Sequence, residues 1–375
     1  MMKIGITCYP TIGGSGVIAT ELGKLLAERG NEIHFITSSM PFRLECVNPE
    51  IYYHEVETSY YPVFKHPPYD LALAAKMAEV IDREKLDILH VHYAMPHAIS
   101  AILAKDIAEH DVKIMTTLHG TDITVLGMDK TFKPMIKYAI EKSDKVTAVS
   151  NELARQTTEM LEVNREIDVI YNFINEDDYF KKDREYLKDE YNIADNEKVL
   201  IHISNFRKVK RIEDVIKTFA TIHKETKAKL ILVGDGPESP TAFELVDELN
   251  ITNDVIFLGR QKNISDLISI SDLLLLMSEQ ESFGLVILEA MACKVPSIGT
   301  NVGGIPEVIT HGETGYLVDL GDTQAAARFA IDLLNDPNKL KSMKQAAYER
   351  SKTKFHSEII VDEYIDLYKN VLNEE

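Results

Sequence analysis

No stretch of this chain stays apolar for the roughly 20 residues needed to cross a bilayer; even 285–293, about half that length, is interrupted by Glu289. A helical transmembrane protein is thereby excluded. Cysteine is scarce. Cys8, Cys46 and Cys293 are an odd count with no C-x-x-C spacing, so neither a disulfide framework nor a zinc ribbon is expected, and the thiols read as reduced, in a cytoplasmic protein. Basic charge is in deficit: 41 Lys and Arg against 60 Asp and Glu, a formal charge of −19. That argues against nucleic acid as a partner and weakly against resting on an anionic membrane. An anionic ligand is still allowed, but its site must be built locally from helix N-termini and a few placed cations. The N-terminus, MMKIGITCYP, enters a strand pattern at once, so no signal peptide is expected there.

What is present is the composition of a globular protein: 375 residues, 45% hydrophobic and 27% charged, enough for two domains and too apolar for disorder. Short β-rich runs alternate with helical patterns. Strands are expected at 3–9, 31–38, 86–93, 112–120 and 145–150, and helices after the Gly13-Gly14-Ser15-Gly16 turn and at 69–84, 96–109 and 132–142. After a polar stretch at 175–198 the alternation restarts. Strands follow at 197–205, 228–236, 254–260, 273–278, 295–301 and 314–320, and 324–374 reads as helical throughout. The fold class is α/β: two Rossmann-like, doubly wound parallel-sheet domains, with a boundary near 165–175. Ligands of such sheets bind beyond the C-terminal strand ends, and the cleft between two domains is the default site.

Four motifs sit at such strand ends. Gly14-Ser15-Gly16-Val17-Ile18-Ala19 has the G-x-G-x-x-A form. A dinucleotide site would want an acid about 20 residues on, ending the second strand; that strand ends Thr37-Ser38-Ser39. What survives is a glycine turn offering backbone N–H groups to a phosphate or carboxylate. Glu281 and Glu289 flank seven residues; read as helix they stand about 12 Å apart, and Phe283-Gly284-Leu285 starts a helix able to hold a diphosphate. The plainer reading is a Ser278–Glu281 capping box with a surface acid. Asn205-Phe206-Arg207-Lys208-Val209-Lys210-Arg211 packs four cations into five positions, either an anion clamp or a solvated loop. His119, in Thr116-Thr117-Leu118-His119-Gly120-Thr121-Asp122, invites a metal reading with His90 and His92, but no carboxylate joins them at ligand spacing and no D-x-D occurs. No G-x-S-x-G elbow supplies a serine for a hydrolase triad.

The E-x7-E string with Phe283-Gly284-Leu285, together with Gly234-Asp235-Gly236-Pro237 and Gly303-Gly304-Ile305-Pro306-Glu307, resembles the family-4 retaining glycosyltransferases of GT-B fold, over nearly the whole chain. CYPTIGGSGVIATELG, HVHYAMPHA, TTLHGTDITVLG, SNFRKVKR and LLMSEQESFGLVILEAMAC resemble, within that family, members acting on UDP-N-acetylglucosamine and L-malate at the first step of bacillithiol biosynthesis. The resemblance implies an N-terminal acceptor domain, 1–168 with 354–375, and a C-terminal nucleotide-sugar domain, 169–353. It implies no metal, and no cofactor is expected; the cysteine usage and acidity add the expectation of a cytoplasmic protein without stable membrane association, and a homo-oligomer is an option.

It also implies residue roles. Glu289 holds the ribose and Glu281 the donor sugar. Ser282, Phe283, Gly284 and Leu285 line the sugar and diphosphate. Arg207 and a cation just after it bind the diphosphate; Lys208, Lys210 and Arg211 are the choices, and Lys210 is assigned. Asn205 and Arg211 lie beside them, Arg260 and Gln261 lie near the uracil, and His119 lies near the transferred sugar. Gly13, Gly14, Ser15 and Gly16 line the donor or acceptor side. Lys65, Tyr93, Thr117, Thr121 and Lys137 are the expected acceptor contacts, chosen as cations and hydroxyls for a dicarboxylate.

Overall fold

The computed structural model describes residues 1–10, 13–44, 48–58 and 65–373; Cys46 lies outside them. The chain divides into two compact units, Met1–Asn172 with Glu358–Glu375, and Phe173–Ser357. The sequence placed these breaks at 168/169 and 353/354.

The first unit holds a sheet of β1 (Lys3–Thr7), β2 (Glu32–Thr37), β3 (Ile51–Glu55), β4 (Ile88–His92), β5 (Lys113–Leu118), β6 (Lys145–Ala148) and β7 (Asp168–Val169). Their order is β3-β2-β1-β4-β5-β6-β7, every pair parallel. Parallel strands need crossovers, and α1 (Gly14–Glu28), α2 (Tyr69–Glu84), α3 (Ile99–Ile107), α4 (Thr121–Thr124), α5 (Lys133–Lys142) and α6 (Asn151–Leu161) fall in the connections. Strands covered on both faces read as unbroken apolar runs, and every residue of Ile88–His92 is buried. Gly30, at φ +79°, turns the chain out of α1 as a C-terminal glycine should. Among the elements that escape the sequence pattern are an edge strand and a helix. The edge strand β3 is half exposed, so its IYYHE string carries no core signature. Helix α6 is announced only by its cap, Ser150, whose Oγ accepts from the Leu153 N–H at 3.1 Å. The C-terminal helix, Ser357–Asn373, buries Tyr364 and Tyr368 in this unit.

In the second unit β8 (Lys198–Ile203), β9 (Ala228–Val233), β10 (Val255–Gly259), β11 (Leu273–Leu276), β12 (Ser297–Thr300) and β13 (Gly315–Val318) form a parallel sheet in the order β10-β9-β8-β11-β12-β13. Its helices are α7 (Tyr186–Glu190), α8 (Ile212–His223), α9 (Ser239–Glu248), α10 (Ile264–Ser269), α11 (Leu285–Ala292), α12 (Ile305–Val308), α13 (Thr323–Leu334) and α14 (Pro337–Lys354). One core joins Leu200, Leu230, Leu232 and Leu275 of the sheet to Val215 and Phe219 of α8. The segment 324–374, expected to be helical throughout, is three helices. Asp336 restarts the chain: its carboxylate accepts from the Asn338 and Lys339 N–H groups, with Pro337 at the first helical position.

In each sheet the strand order reverses once, between β1 and β4 and between β8 and β11. Connections leave those two strands to opposite sides, which opens a crevice at their C-terminal ends. Cys8 and Cys293 are buried as free thiols, and no helix among the described residues is long and apolar enough to cross a membrane.

Candidate active site

At the first switch point, β1 runs into the glycine turn and β4 into Tyr93. Gly13 is extended, α1 starts at Gly14, no side chain caps the helix and its first turn carries no acid. A Cβ built on Gly13 or Gly14 would meet nothing within 4 Å. Neither glycine is therefore demanded by packing, and their bare backbone leaves room beside the uncapped N–H groups of a 15-residue helix. Gly16 is buried, while Ser15 is half-buried and its hydroxyl lies 2.8 Å from the Tyr93 hydroxyl, joining the two strand ends. Thr121, exposed at the start of α4, adds a side-chain hydrogen bond to Tyr93. His119 follows β5, its ring tilted against Tyr93 with centroids 5.2 Å apart.

Asp122 was not singled out by the sequence reading, although it stands in the same HGTD string. Its carboxylate is fully buried and accepts from the Ala94 and Gly120 N–H groups, both at 3.0 Å, stapling the loop after β4 to the loop after β5. Burial raises its pKa against those hydrogen bonds.

One acceptor expectation is corrected by these contacts, and a second residue is engaged elsewhere. The Thr117 side chain is fully buried and its Oγ1 lies 2.7 Å from both His90 Nε2 and Thr147 Oγ1, so it bridges the interior instead of facing a ligand. Lys137 donates to the Glu162 carbonyl at 2.6 Å, tying α5 to the end of α6. Lys65 is exposed.

At the second switch point the loop after β8 meets the loop after β11. The Glu279 N–H donates to the Val209 carbonyl at 2.8 Å, and Lys210 Nζ lies 2.5 Å from Glu281 Oε2. Among the four clustered cations, Lys210 is thus the one joined to the E-x7-E string. Arg211 instead pairs with Asp214 on its own helix at 2.6 Å. Arg207 and Lys208 are exposed, with no ion-pair partner among the described residues, and Asn205 is exposed beside them. Ser278 does not cap a helix: its hydroxyl reaches the Glu281 carboxylate at 3.5 Å, and α11 begins only at Leu285, after Gly284 at φ +91°. Glu281 therefore lies in a loop, and the 12 Å helical estimate does not apply to the Glu281–Glu289 pair. Phe283 is buried, Ser282 half-buried, and Glu289 half-buried on α11. The uncapped, acid-free first turn of α11 again leaves N–H groups available to an anion.

The remaining motif glycines hold these loops. A Cβ on Gly234 would stand 1.7 Å from the Ser204 carbonyl oxygen, and one on Gly236 2.1 Å from that of Asn205. On Gly303 it would stand 1.9 Å from the Glu281 oxygen, and on Gly304 2.2 Å from that of Ser282. Both glycine pairs let a backbone lie directly under the loops that carry Arg207 and Glu281. Arg260 and Gln261 follow the edge strand β10, both exposed, with the Gln261 amide donating to the Leu258 carbonyl.

Histidines crowd the first unit. Burial lowers the pKa of His90 and of His119 to about 3 and of His97 to about 4. The His90-x-His92 pair forms no metal-binding group. The one such group among the described residues is His34, His54 and Glu84, on β2, β3 and α2, beyond β1 from β4. Its ring nitrogens are already engaged, with His34 bonded to His54 and Glu32, and His54 to Arg83.

Comparison with known proteins agrees along the chain. The family described as Glycosyltransferase Family 4 matches residues 12–178, and Glycosyl transferases group 1 matches 183–350. The chain is 59% identical over 374 residues to the N-acetyl-alpha-D-glucosaminyl L-malate synthase of Bacillus anthracis, covering 100% of this chain and 98% of that one. It is 28% identical to an uncharacterized glycosyltransferase of Methanocaldococcus jannaschii, over 92% of this chain and 91% of the relative. Two solved structures share the fold: a Rickettsia africae glycosyltransferase (TM-score 0.84, 24% identity, 100% and 99% covered) and Anabaena HepE with UDP and glucose (TM-score 0.84, 20% identity, 99% and 100% covered).

Proposed function

The chain belongs to the family 4 glycosyltransferases, and from that premise we propose that it is a retaining enzyme moving N-acetylglucosamine from UDP-N-acetylglucosamine to the hydroxyl of L-malate, the first step of bacillithiol biosynthesis, in the cytoplasm. The identity to the Bacillus anthracis synthase over the full chain supports the substrate pair. The observation that carries the chemistry is the contact of Lys210 with Glu281 at the β8/β11 switch point, beside exposed Arg207.

UDP is a good leaving group, so the demand is for positive charge where the β-phosphate gains negative charge in the transition state. Arg207 and Lys210 supply it, aided by the N–H groups at the start of α11. Glu281 takes the donor sugar hydroxyls and Glu289 the ribose. In the first unit, the open N-terminus of α1 with Ser15, Tyr93 and Thr121 is assigned to the acceptor, and His119 to the transferred sugar. The bond from the anomeric carbon to the β-phosphate oxygen breaks, and UDP keeps the electron pair. The malate hydroxyl oxygen bonds to that carbon on the same face, and its proton passes to the departing phosphate. Two cations, Lys210 held by Glu281 and Arg207 exposed beside it, take the place a divalent metal would fill, so no metal or cofactor enters the scheme.

The test is release of UDP with L-malate, then with other hydroxy acids, followed by the product's mass and anomeric configuration. Malate-dependent release of UDP with an α-linked product is expected. Equal release with water alone, or with an unrelated acceptor in place of malate, would overturn the assignment.

A further inference from the structure

Beneath Tyr93 the first unit carries a line of rings. His90 stacks on His92 with centroids 4.5 Å apart, and His92 on His119 at 5.1 Å. His92 Nδ1 lies 2.8 Å from His119 Nε2. Between two neutral imidazoles one proton fills that hydrogen bond, and where it resides decides the tautomer of both rings.

The other nitrogen of His92 resolves the choice. His92 is fully buried, and its Nε2 has no partner. A proton there would leave a buried N–H without an acceptor, the arrangement folded proteins avoid most strictly; a bare lone pair costs less. The neighbouring His97 shows the same economy. Its Nδ1 lies 2.5 Å from the His92 carbonyl and must donate, so its equally buried, unpartnered Nε2 is the bare atom. His92 therefore carries its proton on Nδ1 and donates it to His119 Nε2. His119, neutral, then carries its own proton on Nδ1.

We propose that His92 is a positioning residue that fixes His119 in the Nδ1–H tautomer, so that His119 meets the transferred sugar as a hydrogen-bond donor to a hydroxyl oxygen and not as a base. The inference rests on the reading that His119 faces the sugar. It removes His119 as acceptor of the malate proton, which leaves that proton to the departing phosphate. Behind His92, His90 is held at both nitrogens, by Tyr368 of the C-terminal helix at 2.8 Å and by Thr117 at 2.7 Å. The ring on which His92 stacks is thus itself fixed.

The experiment uses full-length protein labelled with ¹⁵N-histidine and long-range proton–nitrogen correlation spectra, with His119 assigned by its loss in His119→Gln. The wild type is expected to show His119 protonated at Nδ1; an Nε2–H signal would overturn the proposal, whatever the variants do. In His92→Phe, which keeps a ring in the stack but donates nothing, His119 is no longer held to one tautomer, and an Nε2–H signal appears beside the Nδ1–H one. The turnover number then falls about tenfold, the worth of one neutral hydrogen bond, with the Michaelis constant for UDP-N-acetylglucosamine unchanged within about threefold. His92→Asn, whose amide N–H stands where Nδ1–H stood, restores both signal and rate. Equal loss in His92→Phe and His92→Asn, with thermal midpoints equal to wild type, would overturn the proposal. A tautomer shift in His92→Phe with full turnover would retain the hold of His92 on His119 and instead remove His119 from the reaction.

Discussion

Lys210 and Glu281 stand 71 positions apart in sequence and 2.5 Å apart in space, each in the loop that follows one of the two strands where the second sheet reverses its order. The lysine is held by the carboxylate assigned to the sugar. Lys210→Ala is therefore expected to cut kcat/KM by about 100-fold to 1000-fold, the usual loss for one donor aimed at developing negative charge. Lys208→Ala, at an exposed side chain of the same loop, is expected to stay within about threefold. Steady-state assays of UDP release decide between them, and the reverse ranking would assign the phosphate to Lys208.

Gly303→Ala should damage the fold itself. The new methyl would overlap the Glu281 carbonyl at a φ of +55°, so a loss of about 3 kcal/mol or more is expected. Gly259→Ala, at φ +62° but in open space, should cost about 1 kcal/mol from the backbone conformation alone. Urea midpoints of the two variants measure the difference.

Gly14→Ala makes the opposite prediction. Nothing surrounds the added methyl and the position is helical, so stability should be unchanged or rise by about 0.5 kcal/mol. Activity should nevertheless fall at least tenfold, because a side chain would stand where substrate must approach the N-terminus of α1. Melting temperature and kcat/KM on the same preparation test this. Unaltered kinetics would show that the turn is a packing device.

Acid should unfold the protein through its histidines. His90, held near 3, and His97 and His202, each held near 4, are neutral in the folded state because they are buried. Unfolded, they bind protons once the pH drops below about 6.5. Their folded pKa values are depressed, so the stability they allow is intact above pH 6.5 and drains away as the pH falls from there toward 4 and 3. Thermal midpoints between pH 7.5 and 4.5 should decline accordingly, and an unchanged midpoint would contradict buried neutral rings.

Transfer should survive chelation. With Arg207 and Lys210 carrying the phosphate charge, EDTA in excess over all divalent ions should leave UDP release within about twofold. Recovery of a lost rate by added magnesium or manganese would show that the cations are insufficient.

The sheets were legible because parallel strands covered on both faces are unbroken apolar runs, as Leu273–Leu276 shows. The edge strand β3 was not, because an exposed face mixes Tyr and His with Ile. Glu281, Lys210 and the glycines could be found as strings. Their purpose could not, since Gly303 acts on a carbonyl 22 residues earlier and Lys210 on a carboxylate 71 residues later. Thr117 looked like a ligand because a hydroxyl at a strand end usually faces the crevice, but the alternation of β5 turns it inward to His90. Asp122 carries no spacing signal, because its partners are backbone amides, and the spacing of His92 from His90 does not disclose its partner His119, in the loop after another strand.

The helix that carries Tyr364 and Tyr368 belongs to the first unit although its residues come last in the chain. During translation the ribosome makes Met1–Asn172 early but withholds the segment that covers His90 until some 185 further residues have been joined (357 − 172 = 185). A nascent polypeptide halted before that point lacks the tyrosine that pairs with His90.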